Sequence, residues 1–192
     1  MAKKPAKDAG DSIISLKVTL RHTKPPIWRR LLAPAGMTLA DLHDAIQAAM
    51  GWDGGHLHVF DVDGEPYGDP AAVDDAADEN RLTLGAVRDS GLARFRYTYD
   101  FGDDWEHAVA IEKTLPAAPG TFCPTCVAGK RACPPEDCGG PWAYQELLDI
   151  LADPAHPERA ERLEWIGGEE LHPEEFSIDE ANRKIAARFG HG

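Results

Sequence analysis

The strongest constraint on the fold is an alternating pattern through residues 95–113, interrupted once by the turn sequence GDDW. Before the turn, FRYTYDF has an aromatic residue at every second position. After it, HAVAIEK places His107, Val109 and Ile111 on one face. A period of two residues is typical of a half-buried strand, because successive side chains point to opposite faces of a sheet. The pattern therefore predicts a β-hairpin with one face in the core.

Three other segments have strand character: residues 13–22, 27–36 and 56–64. Between the second and the third, TLADLHDAIQAAM has apolar residues at helical spacing. Thr38 and Asp41 form a variant of the capping box, and Gly51 stands where a helix commonly ends. His43 lies beside the apolar stripe, which predicts a partly buried, hydrogen-bonded histidine and not a ligand. Residues 68–80 are acidic and lack periodicity, so we expect a loop there.

The order hairpin, helix, strand, loop, strand resembles a β-grasp arrangement, in which one helix covers a mixed sheet. Helical spacing returns at residues 142–151, 157–168 and 178–190, and Ser177 with Glu180 forms a capping box before the last segment. The predicted class is α+β. We expect a disordered tail at 1–11, a β-grasp-like domain at 12–114, a Cys-rich loop at 115–141, and a helical segment at 142–192 packed on the same domain.

Charge and hydropathy restrict the class of protein to which this chain can belong. The chain has 20 Lys plus Arg and 33 Asp plus Glu, a formal net charge of −13. No run of about 18 apolar residues is present, so a membrane span is excluded. The basic start lacks a following apolar segment and is not a secretory signal, which predicts a cytoplasmic protein.

Nucleic acid is a poor default partner, because a strongly acidic chain opposes phosphate binding. The exception is the first third: residues 1–33 hold 8 basic and 2 acidic residues. A DNA-associated accessory protein would contact phosphates through basic residues of this part. Those residues are Lys17, Arg21, Lys24, Arg29 and Arg30.

All four cysteines, Cys123, Cys126, Cys133 and Cys138, lie within sixteen residues. Zinc binds thiolates tetrahedrally, and a pair separated by two residues supplies adjacent ligands, so the cluster predicts a structural zinc site. Such a four-thiolate site is closed and holds a loop together without catalysing a reaction. The alternatives are free or redox-active thiols and, least favoured in a reducing compartment, disulfides. If Cys123 is not a ligand, His107 could complete a site with the other three cysteines.

A second candidate site is the turn YDFGDDWEH, with Asp100, Asp103, Asp104 and His107. Carboxylates and an imidazole around a tight turn suit a divalent metal or general acid–base chemistry. His56 and His58, two residues apart on one strand, would join them if that strand lies beside the hairpin. The competing interpretation is a solvated turn, since Asp and Gly favour turns for backbone reasons. No GxSxG nucleophile elbow and no glycine-rich phosphate loop occurs.

Three segments, residues 28–60, 97–107 and 126–158, together resemble the plasmid pRiA open-reading-frame-three-like family, whose members are often labelled passenger TnpR proteins of an insertion element. The resemblance spans roughly residues 13–189. The label implies a resolvase, but the few serines and the missing basic recognition helix argue against that activity. The family positions matched here are Asp100, Gly102, Asp104, Trp105, Cys126, Cys133 and Cys138. His172-Pro173-Glu174 departs from the family's Asp-Pro-Glu, so no role is carried over to that position.

Together these observations predict a zinc-stapled interaction or accessory module of a mobile-element-associated family, without catalytic activity and with an unknown protein partner. The first alternative is a metal-dependent hydrolase or nuclease that uses the aspartate hairpin. The second is the DNA-associated accessory protein.

Overall fold

The computed structural model describes residues 12–117, 124–168 and 170–190. Eight strands are present: β1 (Ser12–Leu20), β2 (Ile27–Pro34), β3 (His58–Val62), β4 (Glu65–Gly68), β5 (Ala77–Asp78), β6 (Arg94–Tyr99), β7 (Trp105–Pro116) and β8 (Thr125–Lys130). Five α-helices accompany them: α1 (Leu39–Met50), α2 (Leu84–Asp89), α3 (Gly140–Ala152), α4 (Arg159–Trp165) and α5 (Ile178–Phe189). A short 3₁₀ helix, Glu79–Arg81, follows β5.

The strands form one sheet in the order β5-β4-β3-β6-β7-β1-β2-β8. Every neighbouring pair is antiparallel except β4 and β5. The alternating hairpin predicted from the sequence is β6–β7, with Tyr97 opposite His107. Because β7 is long, it also pairs with β1 along the whole of that strand and joins the two halves of the sheet.

Helix α1 begins where the sequence predicts. The Thr38 hydroxyl accepts from the Asp41 amide, and the Asp41 carboxylate accepts from the Thr38 amide, so both parts of the capping box are present. The helix ends at Gly51, whose φ of 104° is in the left-handed region that favours glycine. Nine of its twelve residues are buried, which places this helix in the core against the sheet.

The C-terminal helices pack onto this unit. Helix α5 contacts α1 and β8, and Asn182 of α5 exchanges two hydrogen bonds with the backbone of Cys126. One half of its predicted capping box is confirmed, because the Ser177 hydroxyl accepts from the Glu180 amide. The α5 side chains that enter the core are Ala181 and Ile185.

The mixed α+β class is confirmed, but the β-grasp-like arrangement is not, because β7 lies between β1 and β6 and is antiparallel to both. Two segments expected to be loops contain strands. The acidic segment 68–80 includes β5, and the Cys-rich segment 115–141 includes β8, which pairs with β2. Cross-strand pairing forms these short strands where the local sequence has no period. The predicted tail, 1–11, lies outside the described residues, and the proposed division of the chain at residues 114 and 141 stays a prediction.

No helix in the described part of the chain is both long enough and apolar enough to cross a lipid bilayer.

Candidate metal centre at the β6–β7 hairpin

The turn between β6 and β7 is held by its own first aspartate. Asp100 and Asp104 both adopt left-handed backbone angles, with φ of 55° and 54°. One carboxylate oxygen of Asp100, Oδ1, accepts from the Gly102 amide at 2.9 Å, and the Asp104 amide donates to the Asp100 carbonyl at 2.7 Å. The Asp100 side chain is therefore fixed, with Oδ2 left for other partners.

His56 lies beside this carboxylate because the segment before β3 is tied to the turn. The Asp100 amide donates to the Leu57 carbonyl at 2.8 Å. This contact places the His56 Nδ1 3.8 Å from Asp100 Oδ2, and the imidazole meets the Tyr99 ring edge-on, with 5.8 Å between ring centroids.

The Cys-rich segment supplies the remaining acidic groups. His56 Nε2 is 3.2 Å from Asp137 Oδ1 and 4.0 Å from Glu136 Oε2. Glu136 is oriented by two donors to Oε1, the Asp53 amide at 2.9 Å and the Tyr99 hydroxyl at 3.2 Å. Nearby, the Trp52 indole donates to the Pro134 carbonyl, which anchors the segment to the end of α1.

A close backbone approach fixes the same segment to the hairpin. The Gly139 amide donates to Asp103 Oδ2 at 3.0 Å. Gly140 has a φ of 80°, and a Cβ there would overlap the Asp103 carbonyl oxygen. Only glycine fits this position without strain.

The described residues contain one group of three His, Cys, Asp or Glu side chains whose ligand atoms all lie within 4.8 Å of one another: His56, Asp100 and Asp137. The group is open on one side, since the side-chain exposures of Asp100, His56 and Asp137 rise from 10% to 36% to 70%. One imidazole nitrogen and two carboxylates suit a divalent cation such as zinc or manganese, and three protein ligands leave coordination positions free for water or another molecule.

Only part of the predicted hairpin set is in this group. Asp100 belongs to it with His56, whereas Asp103 caps the Gly139 amide and Asp104 faces solvent. His107 lies elsewhere. Its ring is fully buried, its Nδ1 donates to the Tyr97 carbonyl at 3.3 Å, and the ring meets Trp52 edge-on. Burial lowers the pKa of His107 to about 4.

His58 points away from the group as well. Its Nε2 lies 2.8 Å from the buried carboxylate of Glu79, and its ring stacks on His43 with 3.6 Å between centroids. His43 is buried and hydrogen-bonds to the Tyr97 hydroxyl at 2.7 Å, so the sequence prediction of a hydrogen-bonded core histidine is confirmed. Burial lowers the pKa of His43 to about 3.

The cysteines do not form a comparable group in the described part of the chain. Cys126, Cys133 and Cys138 are free thiols, and Cys123 lies outside the described residues. Burial raises the pKa of Cys126 and of Cys133, and it raises that of Cys138 to about 12. Each described thiol is therefore neutral unless a metal ion binds it.

Most of the basic residues predicted to contact phosphates are either paired with a carboxylate of this chain or buried. Arg21 pairs with Glu106 at 3.0 Å and Arg30 with Glu112 at 2.7 Å, and both of these carboxylates lie on β7. Arg29 is only 2% exposed.

Sequence reasoning missed Asp137 and Glu136. The signal was present, since CPPEDC holds two adjacent carboxylates, but the neighbouring cysteines offered a more familiar ligand pattern. What the sequence could not show is that this segment lies against His56, more than seventy residues earlier.

An eight-stranded, mostly antiparallel sheet with five described α-helices and a His–carboxylate group beside one hairpin defines the molecule as an α+β protein with a candidate metal centre. The chain belongs to the plasmid pRiA4b ORF-3-like protein family, whose model matches residues 12–180. This confirms the family resemblance found in the sequence.

Two relatives match this chain over most of its length and of their own. The uncharacterized protein y4hQ of Sinorhizobium fredii (strain NBRC 101917 / NGR234) is 43% identical over 177 residues, which cover 91% of each chain. The crystal structure of MM3350 from Methanosarcina mazei Go1, a protein of unknown function, superposes with a TM-score of 0.81 at 38% identity. The match covers 88% of this chain and 97% of MM3350.

Proposed function

We propose that the protein binds a divalent transition-metal ion through His56, Asp100 and Asp137. The observation that carries this proposal is the convergence of their three ligand atoms within 4.8 Å of one another. Each ligand comes from a different part of the chain, so the group exists only in the folded protein.

The surroundings support a metal ion in this position. Asp100 is fixed by the Gly102 amide, which leaves its second oxygen toward His56. Glu136 is held by the Tyr99 hydroxyl and the Asp53 amide, in the way that outer groups commonly orient a metal site. Three carboxylates around one imidazole repel one another without a cation, and a divalent ion would offset that repulsion.

The chemistry of an open site differs from that of a closed thiolate site. Free coordination positions allow a metal ion to bind water or a second molecule, as metal-dependent hydrolases require. The acidic surroundings disfavour a nucleic-acid substrate, since the protein carries −13 overall. We therefore favour a metal-dependent function on a substrate other than nucleic acid over the predicted nuclease.

The test is metal binding by matched variants. Purified protein is stripped with a chelator and titrated calorimetrically with Zn²⁺ and Mn²⁺. His56→Ala with Asp137→Asn should abolish binding at this site. Asp104→Asn is the control: it lies in the same turn, is exposed and has a left-handed φ that Asn tolerates, so binding should be unchanged. Wild-type affinity in the double variant, with its fold intact by circular dichroism, would exclude the site.

The cysteine zinc site remains a second candidate. Cys133 and Cys138 flank Glu136 and Asp137 in the sequence, and both are partly buried free thiols. Elemental analysis separates the two sites: Cys133→Ser with Cys138→Ser should remove zinc from a thiolate site and leave the His56 site intact. Loss of zinc in the Cys133→Ser with Cys138→Ser variant would support the zinc-stapled, non-catalytic accessory role in a mobile element.

A further inference from the structure

Arg29 is a buried cation whose charge is not matched by a carboxylate. It is 2% exposed, and no described carboxylate oxygen lies within 4.0 Å of its guanidinium. Its Nε donates to the Ala49 carbonyl at 2.9 Å, and Nη1 donates to the carbonyls of Trp28 and Lys130 at 3.0 and 3.2 Å. Nη2 donates to no described residue, so two of the five N–H groups remain available.

The carboxylates of the cavity beside Arg29 do not supply the missing charge. Glu174 pairs with Arg131 and Glu180 lies beside Lys184, and neither pairs with Arg29. The guanidinium itself keeps its proton, although burial lowers its pKa. A buried charge without a counter-ion is costly, and carbonyl dipoles compensate it only in part.

Arg29 forms part of the wall of a cavity of about 870 Å³ between α1, α5 and the segment after β8. This volume is in the range of small-molecule sites. The apolar part of the wall includes Met50 and Phe176, and the centroid of the Phe176 ring lies 4.0 Å from the guanidinium carbon of Arg29. Lys184 adds a second cation at the rim.

The cavity also has acidic residues, which restrict the charge of a ligand. Glu174 pairs with Arg131 at 2.8 Å, and Glu180 lies 3.9 Å from Lys184, whereas Glu175 also lines the wall. These carboxylates repel a ligand that has several negative charges more strongly than they repel a ligand that has one. The lining therefore suits a molecule with one carboxylate and an apolar or aromatic body.

We infer that this cavity binds a small aromatic monocarboxylate, with its carboxylate on Arg29 and its ring against Met50 and Phe176. The site is separate from the candidate metal centre, and the inference does not depend on metal binding.

The probe is phenylacetate, and its neutral amide, phenylacetamide, is the matched control. Both are titrated into the wild-type protein and followed by ¹H–¹⁵N NMR. We expect phenylacetate to shift the Arg29 Nε–Hε signal and the amides of residues 174–181, and phenylacetamide to bind about tenfold more weakly or worse, because the charged pair is lost. Equal binding of the two probes, shifts confined to other surfaces, or no shifts would overturn the inference.

Variants provide an independent comparison. Arg29→Met should weaken phenylacetate binding about tenfold or more, whereas Arg30→Met, which removes the neighbouring surface arginine, should leave it unchanged. Retained affinity in a folded Arg29→Met protein would refute the assignment of the carboxylate to this residue. If Arg29→Met does not fold, the acid–amide comparison on the wild-type protein decides the question.

Discussion

Acid should destabilise the protein through His107. This imidazole is fully buried on β7, its Nε2 has no hydrogen-bond partner among the described residues, and burial lowers its pKa from 6.5 to about 4. In the unfolded chain the ring takes up a proton near pH 6.5, whereas in the folded protein it stays neutral until about pH 4. Between these values the unfolded state binds more protons, so stability falls as the pH falls.

The magnitude follows from the size of the pKa shift. At 1.36 kcal/mol for each pH unit, the complete effect below pH 4 is about 3 kcal/mol, and about 2 kcal/mol of it is already lost at pH 5. That is a large part of the stability of a domain, which is typically about 5–15 kcal/mol.

The assay is urea unfolding of the wild-type and His107→Gln proteins between pH 7.5 and pH 5. The variant should be less stable at pH 7.5, because it loses packing against Trp52 and Tyr97. Its further loss on going to pH 5 should be about 2 kcal/mol smaller than that of the wild type. His172→Gln, at an exposed position, is the control and should retain the wild-type pH dependence. If the stability of His107→Gln depends on pH as strongly as that of the wild type, burial does not hold the His107 ring neutral.

Three further predictions concern the framework around the site. Gly140→Ala should lower the free energy of unfolding by about 2 kcal/mol or more, because its Cβ overlaps the Asp103 carbonyl at a left-handed φ; a loss near zero in thermal denaturation would contradict this. Thr38→Ala should lower the free energy of unfolding by about 1 kcal/mol, because it removes the side chain that caps the Asp41 amide. Asp41→Asn keeps an acceptor for the Thr38 amide, so its loss of unfolding free energy in the same denaturation assay should be smaller. Cys133 should react with a thiol reagent much more slowly in the folded protein than in urea, because burial raises its pKa; equal rates by mass spectrometry would show that the thiol is accessible.

The elements most accurately predicted are those with a long, regular period. The alternating segments correspond to β1, β2, β3, β6 and β7, and the apolar stripe with its capping residues corresponds to α1. Strand β8 could not be predicted in this way. It is a short segment whose six residues are mostly exposed or half-buried, and its hydrogen bonds to β2 define it as a strand.

The candidate site was predicted only in part, and its members show why. Asp100 and His56 were identified from their chemistry, and the condition that β3 lies beside the hairpin is met, since β3 pairs with β6. His107 lies outside this group because a strand directs alternate side chains to opposite faces, and its position on β7 points into the core. Asp137 could not be predicted, since nothing local indicates that its segment approaches His56.

The sequence by itself determined the α+β class, the positions of the long strands and capped helices, and the family, because periodicity and capping are properties of neighbouring residues. The tertiary structure decided the order of the strands, the burial of Arg29 beside a cavity and the meeting of His56, Asp100 and Asp137. These features depend on which distant segments pair and in which register. The free energy that favours one strand pairing and register over the others comes from contacts throughout the core, so no single stretch of the chain encodes it.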